Sequence, residues 1–257
     1  MKFAGLDLAW SARNTSGGVV LELVGGVARP VVWRDDLGPD REILEFLLEG
    51  VGPGPALVAV DAPLVVPNET GTRPCDLALS RAYRKVEAGA LPANRHRLGP
   101  QVRGEELVKA LTGEGFVFSP MVRPRRPMRQ VIEVYPHPAA VELFGLEKTL
   151  KYKARKGRSP EGRRRELARY RELLRTLERE EPTLSAGTLL DELPIPALRG
   201  RDLKRTEDLL DALFCAYIAL YLWWYGPTGY RTFGDAETGF ILVPMPARAP
   251  GTHVGPG

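Results

Sequence analysis

Cysteine is scarce in this chain, and its scarcity excludes two classes of architecture. Only two cysteines, Cys75 and Cys215, occur among the 257 residues, and neither belongs to a metal-ligand spacing. A small domain held together by disulfides would need more of them. We therefore interpret both as ordinary thiols.

Long hydrophobic runs are lacking as well. No stretch approaches the roughly 18 apolar residues of a membrane span, and the first residues show no basic head followed by a long apolar run. From these absences we expect a cytoplasmic protein without a membrane partner. Because 44% of the residues are hydrophobic, the chain can bury a sizeable core, and we expect one domain over residues 1–257.

An excess of one charge sign is also missing, since the formal net charge is only +4, but the positive residues are clustered. Ten residues from Lys151 to Arg171 are Lys or Arg against two Glu, and four from Arg123 to Arg129 are Arg with no acid. Such runs are either solvated surface or sites for a polyanion, because the local field matters more than the total charge.

The apolar pattern predicts elements in the order of one known architecture. Strands are expected at 2–9, 18–24, 27–33, 56–61 and 130–135, and helices at 40–50, 75–87, 104–113, 161–180 and 206–224. A Gly-Gly pair at 25–26 suits a tight hairpin turn. A three-stranded meander followed by this succession favours the ribonuclease H-like α/β fold, a mixed five-stranded sheet flanked by helices. A basic helical insertion is expected at 145–200.

Acidic residues occur where the apolar sequence predicts burial. Asp7, Asp61 and Glu133 interrupt the runs FAGLDLAW, ALVAVDAPL and QVIEVYPHP, and Asp208 or Asp211 opens the last helix. A buried ionised carboxylate is costly unless a cation or hydrogen bonds compensate it, so this recurrence predicts a shared electrostatic partner. Because a right-handed crossover places the fourth strand parallel beside the first, we expect Asp7 and Asp61 side by side.

Each acid also has a purely structural interpretation. Asp7 would accept amides from the following turn, Asp61 would form a turn before a proline, and Glu133 would pair with an arginine. Asp208 and Asp211 would favour the first turn of a helix through its dipole. Their joint occurrence in the expected order favours the shared site.

Several motifs resemble one family along nearly the whole chain. They are GLDLAW at 5–10, DAPL at 61–64, RPCD at 73–76, EVYPHPA at 133–139, KYK at 151–153 and DLLDALFCAY at 208–217. These segments resemble the DUF429 family, regarded as predicted nucleases of the ribonuclease H-like superfamily, and the resemblance implies that fold and a metal dependence. The DxxDA segment also resembles the C-terminal helix of Holliday-junction resolvases, where such acids complete a divalent-metal site.

Carboxylates in this order suit a two-metal phosphodiesterase. Two Mg²⁺ or Mn²⁺ ions roughly 4 Å apart can activate a water on one side of a phosphodiester and stabilise the leaving oxygen on the other. Such hard cations take oxygen ligands. We expect Asp7 to bridge the ions, with Asp61 and Glu133 on one ion and Asp211 on the other, and Asp208 is a further catalytic candidate.

Other residues are candidates for binding the phosphates of a substrate, although each is equally an ordinary surface or structural residue. They are Arg73, His137, Lys151, Lys153, Arg164, Arg165 and Lys204. Lysines and arginines stabilise charge around a transferring phosphate, and we expect Arg164 and Arg165 to form a basic rim beside the acidic cavity. Arg73 and Asp76 would alternatively form an ion pair that closes a loop.

The expected partner is nucleic acid, and two other functions stay open. An ATP-binding phosphotransferase or ATPase of this fold would carry a second copy of the meander and a glycine-rich hairpin directly after the first Asp, and neither is visible. A nucleic-acid-binding module without catalysis would need the basic patches but not all of the acids. The number of subunits is also open, because paired nicks at a junction would require a homodimer while a monomer would suit cleavage of one strand.

Overall fold

The computed structural model describes residues 1–246, which form a mixed sheet flanked by helices. The chain begins with a meander of β1 (Lys2–Asp7), β2 (Ser16–Val24) and β3 (Val27–Leu37), paired antiparallel. The predicted meander is thereby confirmed, although β3 continues further than expected.

A helix then carries the chain back beside the first strand. Helix α1 (Asp40–Val51) leads to β4 (Ala56–Asp61), which lies parallel to β1 in a register that pairs Asp7 with Asp61. The two acids are therefore neighbours, as the sequence predicted. Asp40 is the first residue of α1, and its carboxylate pairs with Arg103.

The remaining elements complete the layers. They are α2 (Pro74–Tyr83), α3 (Arg95–Leu98), α4 (Arg103–Gly113), β5 (Val117–Phe118), β6 (Arg129–Glu133), α5 (Pro136–Phe144), α6 (Pro160–Thr176), β7 (Thr183–Leu184), α7 (Gly187–Asp191), α8 (Gly200–Tyr225), β8 (Tyr230–Asp235) and β9 (Gly239–Pro244). Single 3₁₀ turns lie at Leu177–Arg179, Ile195–Ala197 and Gly226–Gly229. The sequence did not predict α5 or the β8–β9 hairpin.

The main sheet has seven strands, in the order β5-β6-β4-β1-β2-β3-β7, rather than five. Its two additional members, β5 and β7, are two-residue edge strands, too short to leave an alternating pattern in the sequence. Strand β7 belongs to the segment 145–200 and pairs with β3. That segment is therefore not purely helical, because it also completes one edge of the sheet.

Helix α8 is the central helix of the core. It packs on β1, β2 and β4, with its side chains buried from Thr206 to Leu222, while α1 and α4 cover the opposite face. Within Gly200–Gly229, an 18-residue window has a mean hydropathy of 1.4, so by length and composition this helix could cross a membrane, and the expectation that no such stretch exists was wrong. Because 83% of its apolar window is buried inside the protein, core packing accounts for that composition.

Candidate active site at the carboxyl edge of the sheet

A cavity of about 1030 Å³ opens where the parallel strands β1, β4 and β6 end. Because the carboxyl ends of parallel strands meet at one edge, acids that terminate these strands come together there. Asp7, Asp61 and Asp208 form an acidic floor. Basic residues surround it, namely Arg13, Arg155, Arg158, Arg201, Lys204 and Arg205, which we call the basic rim.

Two glycines allow α8 to approach the sheet closely enough to bring its acids to Asp7. A Cβ on Gly5 of β1 would lie 2.0 Å from the carbonyl oxygen of Ala212, and a Cβ on Gly17 of β2 would lie 2.4 Å from that of Asp208. Only glycine fits backbone contacts of this kind. Since Asp208 and Asp211 are one turn apart on α8, both reach the end of β1.

The carboxylates of Asp7, Asp208 and Asp211 surround the ammonium of Lys153, and we call these four residues the Lys153 cluster. The lysine Nζ lies 2.5 Å from Oδ2 of Asp211, 3.0 Å from Oδ2 of Asp7 and 3.6 Å from Oδ1 of Asp208. Lys204, one turn earlier on α8, also pairs with Asp208. Acids from separate elements thus converge on one positive group.

Positive charge does not fully compensate the acids of this site. Burial would raise the pKa of Asp7, but the Lys153 ammonium holds it below its ordinary value. Burial and the charge of Asp7 raise the pKa of Asp208 to about 8, and the same two causes raise the pKa of Asp61 well above its ordinary range. Among residues 1–246, Asp61 has no ion-pair partner.

The donor chemistry of the Lys153 cluster fits a hard divalent cation, although the side chains are closed around the lysine. Within residues 1–246, no group of three or more His, Cys, Asp or Glu side chains is arranged to hold a metal ion. Lys153 occupies the central position instead. The fit rests on a donor set of carboxylate oxygens and on the buried Oδ2 of Asp208, which accepts no hydrogen bond in the described part of the chain.

Glu133, which we expected to bind a metal, is held by an arginine. Nη2 of Arg73 lies 2.6 Å from Oε1 and Nη1 lies 3.0 Å from Oε2, while the Leu64 amide donates to Oε2 at 2.8 Å. Arg73 also donates to Asp76, from Nη2 at 2.7 Å and from Nε at 3.0 Å. We call Arg73, Asp76 and Glu133 the Arg73 cluster; it realises the ion pairs that the sequence had left open for these residues.

A shift of one residue in register explains why Glu133 differs from the other acids. Asp61 pairs with Asp7, but Glu133 pairs with Val60. Because successive side chains of a strand point to opposite faces, Glu133 leaves β6 on the face opposite to Asp61. Burial raises the pKa of Glu133 even though the Arg73 charge opposes that rise.

The other predicted substrate-binding residues are divided between the cavity and the surface. His137 lines the cavity, with its Nδ1 3.1 Å from Oγ1 of Thr149, and burial lowers its pKa to about 3, so the imidazole is neutral at neutral pH. Because its imidazole is neutral, a phosphate contact of His137 would be a hydrogen bond rather than an ion pair. Lys151, in contrast, pairs with Glu87 and does not line the cavity.

The basic rim exists, but Arg164 and Arg165 are not part of it. Neither lines the cavity, because Arg163 of the same helix turns inward to pair with the buried Glu207 and so orients α6. Arg155 and Arg158 take their place from the loop before α6, within the basic run that the sequence showed. The only sequence signal for Arg155 and Arg158 was that they precede the helical pattern of α6. Nothing in the sequence singled out Arg13, Arg201 or Arg205.

Comparison with known proteins gave one match. The model of the DUF429 family, described as a protein of unknown function, matches residues 5–238. Neither the curated proteins nor the solved structures gave a match.

Proposed function

The chain belongs to the DUF429 family, and we propose that it is a divalent-metal-dependent nuclease of ribonuclease H-like fold. One observation carries this proposal: the carboxylates of Asp7, Asp61, Asp208 and Asp211 converge at the carboxyl edge of the sheet beneath the basic rim. Carboxylates are ligands for Mg²⁺ or Mn²⁺, and arginines neutralise the phosphate backbone of nucleic acid.

The order of the longer strands supports the fold that we propose. Across the sheet the order is β6, β4, β1, β2 and β3. Strand β2 is antiparallel to β1, whereas β4 and β6 are parallel to β1. This is the arrangement expected from a meander followed by two crossovers. It places the acids of two separate strands and the last helix at one edge.

The residues of the site have separate tasks in this proposal. The four carboxylates would hold the metal, which when bound would activate a water and stabilise the leaving oxygen. Tyr152 donates its hydroxyl to Oδ1 of Asp211 at 2.6 Å and fixes the orientation of that carboxylate. We assign Arg73 no role in substrate binding, because its guanidinium donates hydrogen bonds to Glu133, Asp76 and the carbonyl of Val65.

The proposal is tested by cleavage of single-stranded and duplex DNA and RNA with Mg²⁺, with Mn²⁺ and with chelator. We expect Asp7→Asn to reduce metal-dependent cleavage by roughly 100-fold or more, because a ligand of the catalytic cation is lost. Asp191→Asn is the matched control, since Asp191 is an exposed carboxylate that pairs with Arg175 and does not line the cavity. Cleavage by Asp7→Asn at the wild-type rate would contradict the proposal.

Two other outcomes would favour the other classes of function. Salt-sensitive binding of nucleic acid without cleavage by any divalent ion would indicate a binding module that lacks catalysis. ATP hydrolysis together with a nucleotide-dependent rise in the melting temperature would indicate a phosphotransferase or ATPase. Either outcome would replace the nuclease proposal.

The basic rim gives a second test, on binding alone. Charge reversal at Arg155 and Arg158 should weaken nucleic-acid binding more than charge reversal at Arg164 and Arg165, because only the first pair lines the cavity. The salt dependence of binding should fall as well, since fewer phosphates are neutralised. Equal losses for the two pairs would contradict a contact surface confined to the cavity, because they would extend it over α6.

A further inference from the structure

The ammonium of Lys153 stands at the point where acids of β1 and α8 meet. Its Nζ is within 3.0 Å of carboxylate oxygens of Asp7 and Asp211 and 3.6 Å from Asp208. A lysine ammonium is a compact point charge with three donors. In charge and in surroundings, it stands in for a cation bound by oxygen ligands.

We propose that Nζ of Lys153 marks the position of a divalent cation and that this lysine competes with the cation for the site. In the metal-free protein the ammonium holds the acids together, and it leaves them when the cation binds. This inference rests on the proposed function, because it assigns a position and a competitor to the metal of that same site. Lys153 is in this sense a positioning residue.

A second observation shows that the lysine satisfies the acids incompletely. Asp208 is only 1% exposed, and its Oδ2 accepts no hydrogen bond within residues 1–246. The Lys153 ammonium approaches Asp208 only at the other oxygen, Oδ1, at 3.6 Å, which is beyond hydrogen-bond length, and Lys204 pairs with that same Oδ1. A buried carboxylate oxygen without a partner at the edge of the cluster is a ligand position that the ammonium leaves unused.

The side chain of Lys153 can move without rearrangement of the chain around it. The backbone is fixed on both sides, because Arg163 donates to the carbonyl of Tyr152 and Arg158 to that of Lys153, each at 3.0 Å. The lysine side chain itself is 26% exposed and borders the cavity. Displaced into the cavity, its ammonium would lie beside the basic rim, where it would add to the positive charge that meets a phosphate.

The experiment compares Lys153→Met with wild type by calorimetric titration with Mn²⁺ alone, and by melting with and without Mn²⁺. Methionine removes the competing charge and keeps a flexible apolar stem. We expect the metal-free variant to melt at a lower temperature, because its acids repel one another, and to bind Mn²⁺ at least tenfold more tightly. Its Mn²⁺-induced rise in melting temperature should exceed that of wild type.

Lys148→Met is the matched control, because Lys148 lies in the same segment but pairs with Glu87 outside the cluster. Its Mn²⁺ affinity should equal that of wild type. An unchanged or weaker affinity of Lys153→Met would overturn the inference, and so would the absence of Mn²⁺ binding in both proteins. If Lys153→Met does not fold, Lys153→Gln provides the same test with a polar side chain.

These outcomes separate the inference from the proposed function. Tighter Mn²⁺ binding by Lys153→Met in a protein that cleaves no nucleic acid supports the inference and removes the nuclease proposal. Metal-dependent cleavage by wild type, with identical Mn²⁺ affinities for both proteins, keeps the nuclease proposal and overturns the inference.

Discussion

Two buried groups of charges border the same cavity and differ in how completely they are satisfied. In the Arg73 cluster, all four carboxylate oxygens of Asp76 and Glu133 accept hydrogen bonds, and the guanidinium donates to both acids and to Val65. In the Lys153 cluster, three acids share one ammonium, and an oxygen of Asp208 has no hydrogen bond within residues 1–246.

The difference separates a structural charge group from a binding one. A planar guanidinium matches carboxylates in fixed geometry, so the Arg73 cluster is complete without a ligand. The Lys153 cluster has more acids than neighbouring cations, and raised pKa values at Asp61 and Asp208 follow from burial and from mutual repulsion. Acid content alone therefore does not identify a site; the fraction of satisfied oxygens does.

Removal of Arg73 would break the Arg73 cluster, and we expect it to cause the largest loss in the free energy of unfolding. Arg73→Met should lower the free energy of unfolding by about 3–5 kcal/mol, because it leaves Asp76 and Glu133 buried without a counter-charge. Urea unfolding followed by circular dichroism measures the loss. Arg81→Met in the same helix is the control, since Arg81 is exposed, and an equal midpoint for the two variants would contradict the structural role.

A substitution that pushes α8 away from the sheet would disturb the Lys153 cluster but not the Arg73 cluster. Gly5→Ala places a Cβ 2.0 Å from the carbonyl of Ala212 and 2.2 Å from the amide of Ala216, so we expect the free energy of unfolding to fall by about 3 kcal/mol. Mn²⁺ affinity should fall too, because α8 carries two of the acids.

The control for this close approach is Gly113→Ala, since no atom lies within 4 Å of a Cβ built there. Its stability should stay within about 1 kcal/mol of wild type. If Gly5→Ala melts with wild type and binds Mn²⁺ equally well, the close packing of α8 does not set the geometry of the site.

The smallest change sharpens the assignment of Glu133. Glu133→Gln keeps the shape of the side chain but removes its charge, and we expect a loss of about 2 kcal/mol in the free energy of unfolding, since charge-assisted hydrogen bonds to Arg73 weaken. Mn²⁺ affinity, measured by calorimetry, should stay at the wild-type value. A large loss of affinity would instead restore Glu133 as a metal ligand.

Local patterns were sufficient to predict much of the sheet. Alternation located β1, two runs joined by a Gly-Gly pair located β2 and β3, and an apolar run located β4. The crossover rule placed Asp7 beside Asp61. The family resemblance was confirmed over residues 5–238. The hairpin of β8 and β9 was missed, because β8 is of mixed polarity and the apolar run of β9 is too short for its period to distinguish a strand from a buried helical segment.

The carboxylate site shows where local patterns fail. Glu133 has the same setting in the sequence as Asp61, an acid within an apolar strand, and only a shift of one residue in pairing directs it to Arg73. Lys153 is one of ten Lys and Arg residues in a basic run. Only the packing of its loop against α8 brings it among the acids.

The sequence by itself determined which apolar runs are buried, which strands form the meander, and that several acids lie in apolar surroundings, because these features depend on composition and periodicity over short distances. The tertiary structure alone decided which cation faces each acid. Register, the close approach of α8 at Gly5 and Gly17, and the path of the loop at Lys153 fix those pairs, and each depends on contacts between residues distant in the chain.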